Sequence, residues 1–493
     1  MQNTPSSLKP HRPLGVTPTT VPAIGAVLAA ATLLLAGCAD TGSIKPVVKM
    51  IEPASAGLSP DSATPVLAES WWEAFQEPHL NELVRKALAD HPSLQAAQAR
   101  LQRAQAAVGS AESALRPQVN GSLEATHQRF SEDGMVPPPL AGSIQNTGTV
   151  QLNGSWELDF FGRNRAALQS ALGAERAAEA EAQAARTLLA SNVARSYFEL
   201  ARLQAQRDVA ERTLAQRTDM LSLIRQRFQA GLDTKVELRQ GEGSLPDARQ
   251  QIEALDQQMA ITRHALAALT VQPPNALDDL KPTLRNVQVV PPPDTVPADL
   301  LGRRADVEAA RQRVEAAMQD LNVARTEFYP SVNLAAFVGF SSVGLGHLFD
   351  AASRQYGVGP AIHLPIFDAG RLRANYQGKA ADVDAAVSTY NASVLDAVRE
   401  VADQLSILQS IERQQREQLA AQDAAERAYE LASQRYQAGL GSYLIVLSTE
   451  SGVLAQRRSA ADLKARALDA QVALMRALGG GYAAPARQIA EAP

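Results

Sequence analysis

The sequence has 493 residues, 45% of them hydrophobic, and a formal net charge of −5 at pH 7. This length allows two or three domains. The mild acidity, without a basic cluster that carries interleaved aromatic residues, argues against a nucleic-acid partner. Because Cys38 is the only cysteine, a disulfide within the chain is excluded.

Residues 1–37 have the pattern of a signal peptide. A basic segment precedes an apolar run over residues 21–36 that is too short to span a membrane comfortably. The run ends in Leu-Ala-Gly-Cys, which resembles a bacterial lipobox and predicts Cys38 as a lipidated mature N-terminus. Ala39 follows it, as in lipoproteins that are sent on to the outer membrane. The alternative is that Cys38 is an incidental thiol. Apart from this covalent lipid, no cofactor is expected.

Residues 38–70 are rich in Pro, Ser, Ala and Thr without periodicity, which indicates an extended tether. A first structural repeat is predicted over residues 71–270, and it begins with apolar residues at helical spacing. The aromatic residues Trp71, Trp72 and Phe75 could form an interface cluster, or they could simply belong to the core.

A β-hairpin is predicted over about residues 117–161. In its second strand Val150, Leu152 and Trp156 alternate with polar residues, which is typical of a strand with one apolar and one polar face. The strand is long enough to cross a bilayer.

A long helical hairpin is predicted over about residues 162–270. Its first helix, with roughly 65 residues, would be ~100 Å long. Gly231 is a natural helix C-cap at the turn, and Pro246 predicts a kink or local irregularity in the return helix. The proline-rich segment 271–297 is predicted to be a linker.

The chain then repeats itself. The sequence QRFQAGL at 226–232 recurs as QRYQAGL at 434–440, and Gly162-Arg163 recurs as Gly370-Arg371, each 208 residues later. These matches predict an internal tandem duplication of a unit of ~200 residues. The second repeat, 298–480, should contain a helix, a β-hairpin at about 330–367 and a helical hairpin at about 370–478, followed by a tail over 481–493.

Four bilayer-length strands per chain have a consequence for assembly. A membrane sheet must close, because an open edge leaves backbone groups unpaired in hydrocarbon. Four strands are too few to close alone, so the chain must oligomerise: a dimer gives eight strands and a trimer twelve. Leucines such as Leu152, Leu158, Leu334 and Leu364 should then face lipid. The polar residues predicted to line the pore are Gln151, Asn153, Glu157, Asp159, Asn333 and His363.

Several motifs occur in one order along residues 71–480, among them WWEAFQEPHLNELVRKAL, SWELDFFGRNRA and QRYQAGLGSYLIVL. Together they resemble the TolC/OprM/NodT group of outer-membrane efflux lipoproteins. The resemblance implies an α+β membrane protein: a homotrimer with a twelve-stranded transmembrane β-barrel, continued by a long periplasmic α-helical barrel. It also implies an outer-membrane location and two partners, a periplasmic membrane-fusion adaptor and an inner-membrane pump of the resistance-nodulation-division type.

The two hairpin turns, at Gly231 and Gly439, are predicted to form the periplasmic gate. In the resembling proteins an aromatic residue and charged pairs near this place hold the tip shut. We therefore expect closure by packing of Tyr436 and by pairing of Arg435 with a partner such as Asp233. The alternative is that Arg435 and Tyr436 are ordinary helix-packing residues.

The residues after the second turn depart from the family pattern. Ser448 stands where the resembling proteins often have a carboxylate. A ring of charge at the tip would then have to come from Glu237 or Glu450.

The sequence contains no motif of an enzyme: HExxH, a P-loop and a GxGxxG after a strand are all absent. The predicted function is a passive exit duct that carries small toxic compounds or drugs, with energy supplied by a partner. The alternatives are an outer-membrane conduit for type I protein secretion and a structural envelope lipoprotein with coiled coils.

Overall fold

The computed structural model describes residues 44–52, 68–284, 287 and 300–482. The predicted signal peptide and Cys38 lie outside the described residues. The chain divides into two compact units. The strand unit includes Ser113–Ala166 and Asp320–Ala380, and the helix unit includes Pro46–Glu112, Ala167–Gln319 and the chain from Ala381 onward.

The strand unit is built on one antiparallel sheet of four strands in the order β1-β2-β3-β4. The strands are β1 Gln118–Arg129, β2 Ile144–Leu158, β3 Ser331–Val343 and β4 Arg354–His363. Two short 3₁₀ helices, Leu345–His347 and Ala351–Ser353, lie between β3 and β4. All four strands fall within the residue ranges of the two predicted hairpins. The prediction succeeds because alternation of apolar and polar residues is a direct consequence of strand geometry.

The register gives the sheet two chemically distinct faces, because directly opposed residues point to the same side. On one face, Leu152 opposes Val338, and Val150 opposes both Leu123 and Phe340. On the other face, Glu157 opposes Asn333. Leu152 is 54% exposed and Val338 is 56% exposed in the single chain, so the apolar face is largely uncovered.

Helices make up most of the rest of the described chain. A 3₁₀ helix, Trp71–Phe75, precedes them. Their bounds are α1 Pro78–Asp90, α2 Pro92–Ser113, α3 Arg163–Gln229, α4 Lys235–Leu269, α5 Leu300–Arg303, α6 Ala305–Thr326, α7 Arg371–Gln437 and α8 Tyr443–Ala477.

Among the helices of the described residues, none combines the length and the apolar character that a membrane span requires.

The two halves of the chain repeat each other in structure. Helices α3 and α7 have 67 residues each, and α4 and α8 have 35 residues each. Each helix of the second hairpin begins 208 residues after its counterpart. Helix α4 continues through Pro246 without a break.

The core of the helix unit contains the aromatic residues near its start. Trp71, Trp72 and Phe75 are 3%, 7% and 1% exposed. The ring of Phe75 meets that of Phe198 on α3 edge to face, with centroids 5.0 Å apart. The core interpretation of these residues is therefore confirmed, and the interface-cluster interpretation is wrong.

Part of the predicted linker belongs to the same core. Leu277, Leu284 and Val287 are buried against the aromatic cluster and α3. The interpretation of 271–297 as a linker is therefore wrong for this first part, because three apolar side chains between the prolines anchor it to the core.

Residues 44–52 of the predicted tether lie along α7. The Oδ1 atom of Asp384 accepts from the backbone N–H groups of Val47 and Val48, at 2.8 and 2.9 Å. The Oδ1 atom of Asn391 accepts from the N–H of Ile51, and its Nδ2 donates to the carbonyl of Lys49, both at 2.9 Å. Two side chains, one heptad apart on α7, thus hold an extended segment through its backbone.

The hairpins of the two repeats are joined side by side through ion pairs between α3 and α8. Arg195 pairs with Asp469 at 2.6 Å, and Arg202 pairs with Asp462 at 3.0 Å. As the position on α3 advances by seven residues, that on α8 falls by seven, so the two helices are antiparallel neighbours.

Candidate functional site

The turn between α3 and α4 and the turn between α7 and α8 have the same local structure. Gly231 and Gly439 have φ values of 75° and 76°, a left-handed conformation that glycine adopts without steric cost. After the first turn, α4 begins with a capping box in which Thr234 and Glu237 bond each other's backbone and side-chain groups. The predicted gate residue Glu237 therefore acts as a helix cap in this structure.

Asp233, in the first turn, lies at the centre of a polar network. It accepts a hydrogen bond of 2.5 Å from the phenol of Tyr436 on α7. The guanidinium of Arg227, on α3, donates to both of its carboxylate oxygens at 3.1–3.2 Å. The same guanidinium lies over the Tyr436 ring, 4.7 Å from its centroid. One carboxylate thus ties the first turn to both long helices.

The network is shielded from solvent. The side chains of Asp233 and Arg227 are 5% and 13% exposed, and Tyr436 is 1% exposed. Burial, with the hydrogen bond to Asp233, raises the pKa of Tyr436 above its usual value. The phenol therefore remains a neutral donor.

The predicted pairing of Arg435 with Asp233 is wrong. Arg435 donates to the backbone carbonyl of Leu440 at 3.3 Å instead. Arg227 and Arg435 occupy equivalent positions in the two repeats, whereas the equivalent of Asp233 is Gly441. Only the first turn therefore supplies a carboxylate, and the arginine of its own hairpin binds it. A position-by-position comparison of the two repeats shows in the sequence that only the first turn carries a carboxylate.

Tyr436 also packs in an apolar cluster, as the helix-packing alternative proposed. Its ring centroid is 5.8 Å from that of Tyr443. The buried members of the cluster come from α3, α7 and α8: Ile224, Ala432, Tyr436, Tyr443 and Val446. The gate and packing interpretations of Tyr436 are therefore compatible.

Glu450, the other proposed source of charge, is buried. Its side chain is 7% exposed and pairs with Arg217 at 3.0 Å. Arg217 also donates to the carbonyl of Ser244 at 3.0 Å. This pair joins α3, α4 and α8, while Ser448 is exposed.

Apolar side chains project into solvent on both sides of the two turns. Leu232 and Leu440, each directly after its turn glycine, are 66% and 70% exposed. Others follow in the first turns of α4 and α8: Val236, Leu444 and Ile445. These five residues are called the tip patch below.

In the strand unit, the predicted pore-lining residues Gln151 and Asn153 share the polar face and bond each other. The Nε2 atom of Gln355 donates to Gln151 at 2.8 Å, and the Nδ2 atom of Asn153 donates to Ser122 at 3.1 Å. A hydrogen-bonded row of uncharged side chains therefore crosses β1, β2 and β4.

Three other predicted pore-lining residues lie on the same face at the end of the sheet where β2 and β4 end and β3 begins, which is called its base below. Glu157 and Asn333 oppose each other, and Glu157 lies 3.6 Å from Arg163. His363 ends β4, opposite Ser331.

The prediction that Asp159 lies on the polar strand face is wrong. β2 ends at Leu158. The Asp159 carboxylate instead accepts from the backbone N–H groups of Asn164 and Arg165, at 3.2 and 2.9 Å. Asp159 thus caps the start of α3.

Within the described ranges, no group of three or more His, Cys, Asp or Glu residues could hold a metal ion.

Comparison with known proteins places these features in a family. The model of the outer membrane efflux protein family matches residues 83–271 and 296–480. The chain is 32% identical over 464 residues to the putative multidrug resistance outer membrane protein MdtQ of Escherichia coli, covering 91% of this chain and 96% of MdtQ. It is 31% identical over 467 residues to the pyoverdine export outer membrane protein OpmQ of Pseudomonas aeruginosa, covering 92% and 96%.

A solved structure agrees with this assignment. The outer membrane protein VceC of Vibrio cholerae superposes with a TM-score of 0.80 at 33% identity, covering 85% of this chain and all of VceC. The chain therefore belongs to the outer membrane efflux protein family and is an exit duct of the outer membrane.

Proposed function

We propose that the chain is the passive outer-membrane duct of a tripartite efflux pump, and that three copies close one twelve-stranded barrel. The observation that carries this proposal is the two-faced sheet. Its apolar face is exposed in the single chain, and its edge strands β1 and β4 each pair on one side only among the described strands. An unpaired strand edge is not tolerated in hydrocarbon, so neighbouring copies would pair β4 with β1.

The polar face then lines the pore. The hydrogen-bonded row that contains Gln151 and Asn153 gives it an uncharged, hydrated surface, while Glu157 with Arg163 adds charge at its base. Such a wall suits solutes of varied chemistry. The named relatives fit this breadth: OpmQ is a pyoverdine export protein, and another relative, 36% identical over 370 residues, is the fusaric acid resistance protein FusA of Burkholderia cepacia. We propose small toxic compounds as the substrate class.

We propose that the Asp233 network is the gate. The network holds the first turn against α7. Each chain has two such turns, so a trimer would bring six of them together at the end of the duct. Because Asp233 and Arg227 are both shielded from water, opening the tip must break or expose a charged pair.

We propose that the tip patch receives the periplasmic adaptor, which joins the duct to an inner-membrane pump of the resistance-nodulation-division type. A leucine after each turn glycine and apolar residues one turn later offer an apolar anchor at each of six positions in a trimer. Exposed apolar residues clustered at one end of a protein commonly mark a protein interface.

We also propose that Cys38 carries the lipid that fixes the N-terminus to the membrane. Mass spectrometry of the mature protein should find an acylated Cys38, and an unmodified thiol in membrane-extracted protein would contradict it.

The duct itself is tested by reconstitution. Native mass spectrometry of the detergent-extracted protein should give three copies, and the same preparation should conduct ions across a planar lipid bilayer. A conducting monomer would refute the trimeric barrel, because four strands cannot enclose a pore. An intact trimer without conductance, even after the gate is weakened, would refute the duct.

A further inference from the structure

A wide groove in the helix unit is lined by arginine. It has a volume of about 1290 Å³ and lies along α7 and α8, with one side chain from α3 at its border. Five arginines line it against two carboxylates, Glu417 and Asp462. The arginines are Arg202, Arg413, Arg416, Arg458 and Arg466.

Most of this positive charge is not neutralised within the chain. Asp462 already accepts from Arg202 at 3.0 Å and from Gln206 at 2.7 Å. Among the described residues, the other four arginines form no ion pair with a carboxylate, and Glu417 pairs with none of them.

Two arginines next to the groove on the same helices have carboxylate partners. On α7, Arg427 pairs with Asp423 at 2.9 Å, one helical turn away. On α8, Arg457 reaches Glu426 at 3.0 Å. The groove therefore differs from these two sites in leaving four of its five guanidinium groups without a carboxylate partner.

The groove also lies on a different side of α8 from the residues that pack into the core of the helix unit. Ala465, Leu468 and Val472 of α8 pack with the aromatic cluster near Trp71. Arg458, Asp462 and Arg466 follow one another at four-residue spacing, on a stripe turned about 90° from those three at 100° per residue. In the single chain Arg466 is exposed and Arg458 and Asp462 are partly exposed, so a solute can reach this stripe.

Unpaired guanidinium groups in a concave surface recognise anions. A planar guanidinium forms two parallel hydrogen bonds to a carboxylate, phosphate or sulfonate. Several of them in one groove concentrate the positive potential and raise the local concentration of anions. A solute with two or more anionic groups would gain most, because it can meet arginines of α7 and α8 at once.

We propose that this groove is an anion-binding site on the wall of the duct, and that the exported compounds include small polyanions with at least two carboxylate, sulfonate or phosphate groups. The proposal rests on the duct function above and adds the charge class of the substrate.

The test uses the full-length trimer in a planar bilayer, with 8-hydroxypyrene-1,3,6-trisulfonate as the probe anion. The trisulfonate should bind the wild-type channel and reduce its potassium chloride current. The variant Arg458→Gln/Arg466→Gln should weaken this block about tenfold, as the loss of two unit charges about 8 Å from a trivalent anion predicts in screened water. The control variant Arg427→Gln lies on α7 but outside the groove. The trisulfonate should block this channel as strongly as the wild type.

A second variant separates charge from folding. Arg458→Lys/Arg466→Lys keeps both charges and should retain more of the block than the glutamine variant, and added salt should weaken the block in every channel. A wild-type channel that conducts but is not blocked would overturn the anion site and leave the duct intact. Binding without any effect on current would place the groove outside the duct. Loss of the trimer in the glutamine variant, with the lysine variant intact, would show that the groove is instead covered by a second copy.

Discussion

Arg227 and Arg435 provide a matched pair of substitutions for the gate. Both are arginines at the same position of their repeat, but only Arg227 binds Asp233, whereas Arg435 touches a backbone carbonyl. Arg227→Ala would leave the Asp233 carboxylate, 5% exposed, with the Tyr436 phenol as its remaining side-chain partner. Removing one member of a buried ion pair costs about 3–5 kcal/mol.

This cost applies to the closed tip, because an open tip can hydrate Asp233. The ratio of open to closed channels should then rise by about two to three and a half powers of ten, at about 1.4 kcal/mol per power of ten. The assay is the open probability of single trimeric channels in a planar bilayer, with vancomycin sensitivity of cells as a second readout. Arg435→Ala should change neither.

A double variant tests whether the effect passes through Asp233. Tyr436→Phe alone removes one hydrogen bond to a charged acceptor, worth about 1.5–3 kcal/mol. Because both side chains act on one carboxylate, the effects of Arg227→Ala and Tyr436→Phe should not add. Equal open probabilities for Arg227→Ala and Arg435→Ala, with trimers intact, would refute the assignment of the gate to this network.

Three further predictions concern stability and assembly. Glu450→Ala should lower the thermal unfolding temperature of the trimer, because it removes the buried partner of Arg217, whose side chain is 18% exposed, and breaking a buried ion pair costs about 3–5 kcal/mol; an unchanged melting curve would contradict this. The hydrogen bond from Arg457 lowers the pKa of Glu426 below its ordinary value of 4.5. The stabilisation by this ion pair is therefore fully present above pH 4.5 and is lost as the pH falls through the lower folded pKa. Acid unfolding curves of the wild type and of Glu426→Gln should therefore converge at low pH and differ near neutrality. Leu152→Arg places a charge on the apolar strand face, which costs roughly 2–4 kcal/mol at the bilayer midplane, so it should reduce the yield of trimers on native gels. Gln151→Arg, on the polar face, should mainly alter conductance. Equal yields of the two variants would mean that the faces are assigned wrongly.

The features that the sequence predicts well are those that depend on local periodicity. Alternation at Val150, Leu152 and Trp156 identifies β2, because side chains of a strand must point to opposite faces in turn. The repeated QRxQAGL motif locates both hairpin turns, because a helix that ends in a left-handed residue favours glycine there. Chemical alternation continues past the end of the strand to Asp159, however, so the pattern alone assigns this residue to the wrong element.

The features that the sequence does not reveal depend on which distant residues meet. The choice between Arg227 and Arg435 as the partner of Asp233 is decided by the packing of the first turn against α7. Residues 47–51 bind α7 through their backbone N–H and carbonyl groups. The bound segment therefore needs no particular side chains and leaves no pattern in the sequence. The arginine groove arises only once α7 and α8 are aligned side by side.

The equal lengths of the paired helices constrain how this chain can change through evolution. Helix α3 of the first repeat meets α8 of the second through ion pairs spaced along their length, from Arg195–Asp469 to Arg217–Glu450. An insertion in one hairpin alone would slide every contact beyond it out of register and leave one turn protruding past the other. A longer duct therefore requires coordinated insertions in all four long helices, in steps of whole heptads. Relatives of different duct length should differ by such matched insertions, one set in each repeat.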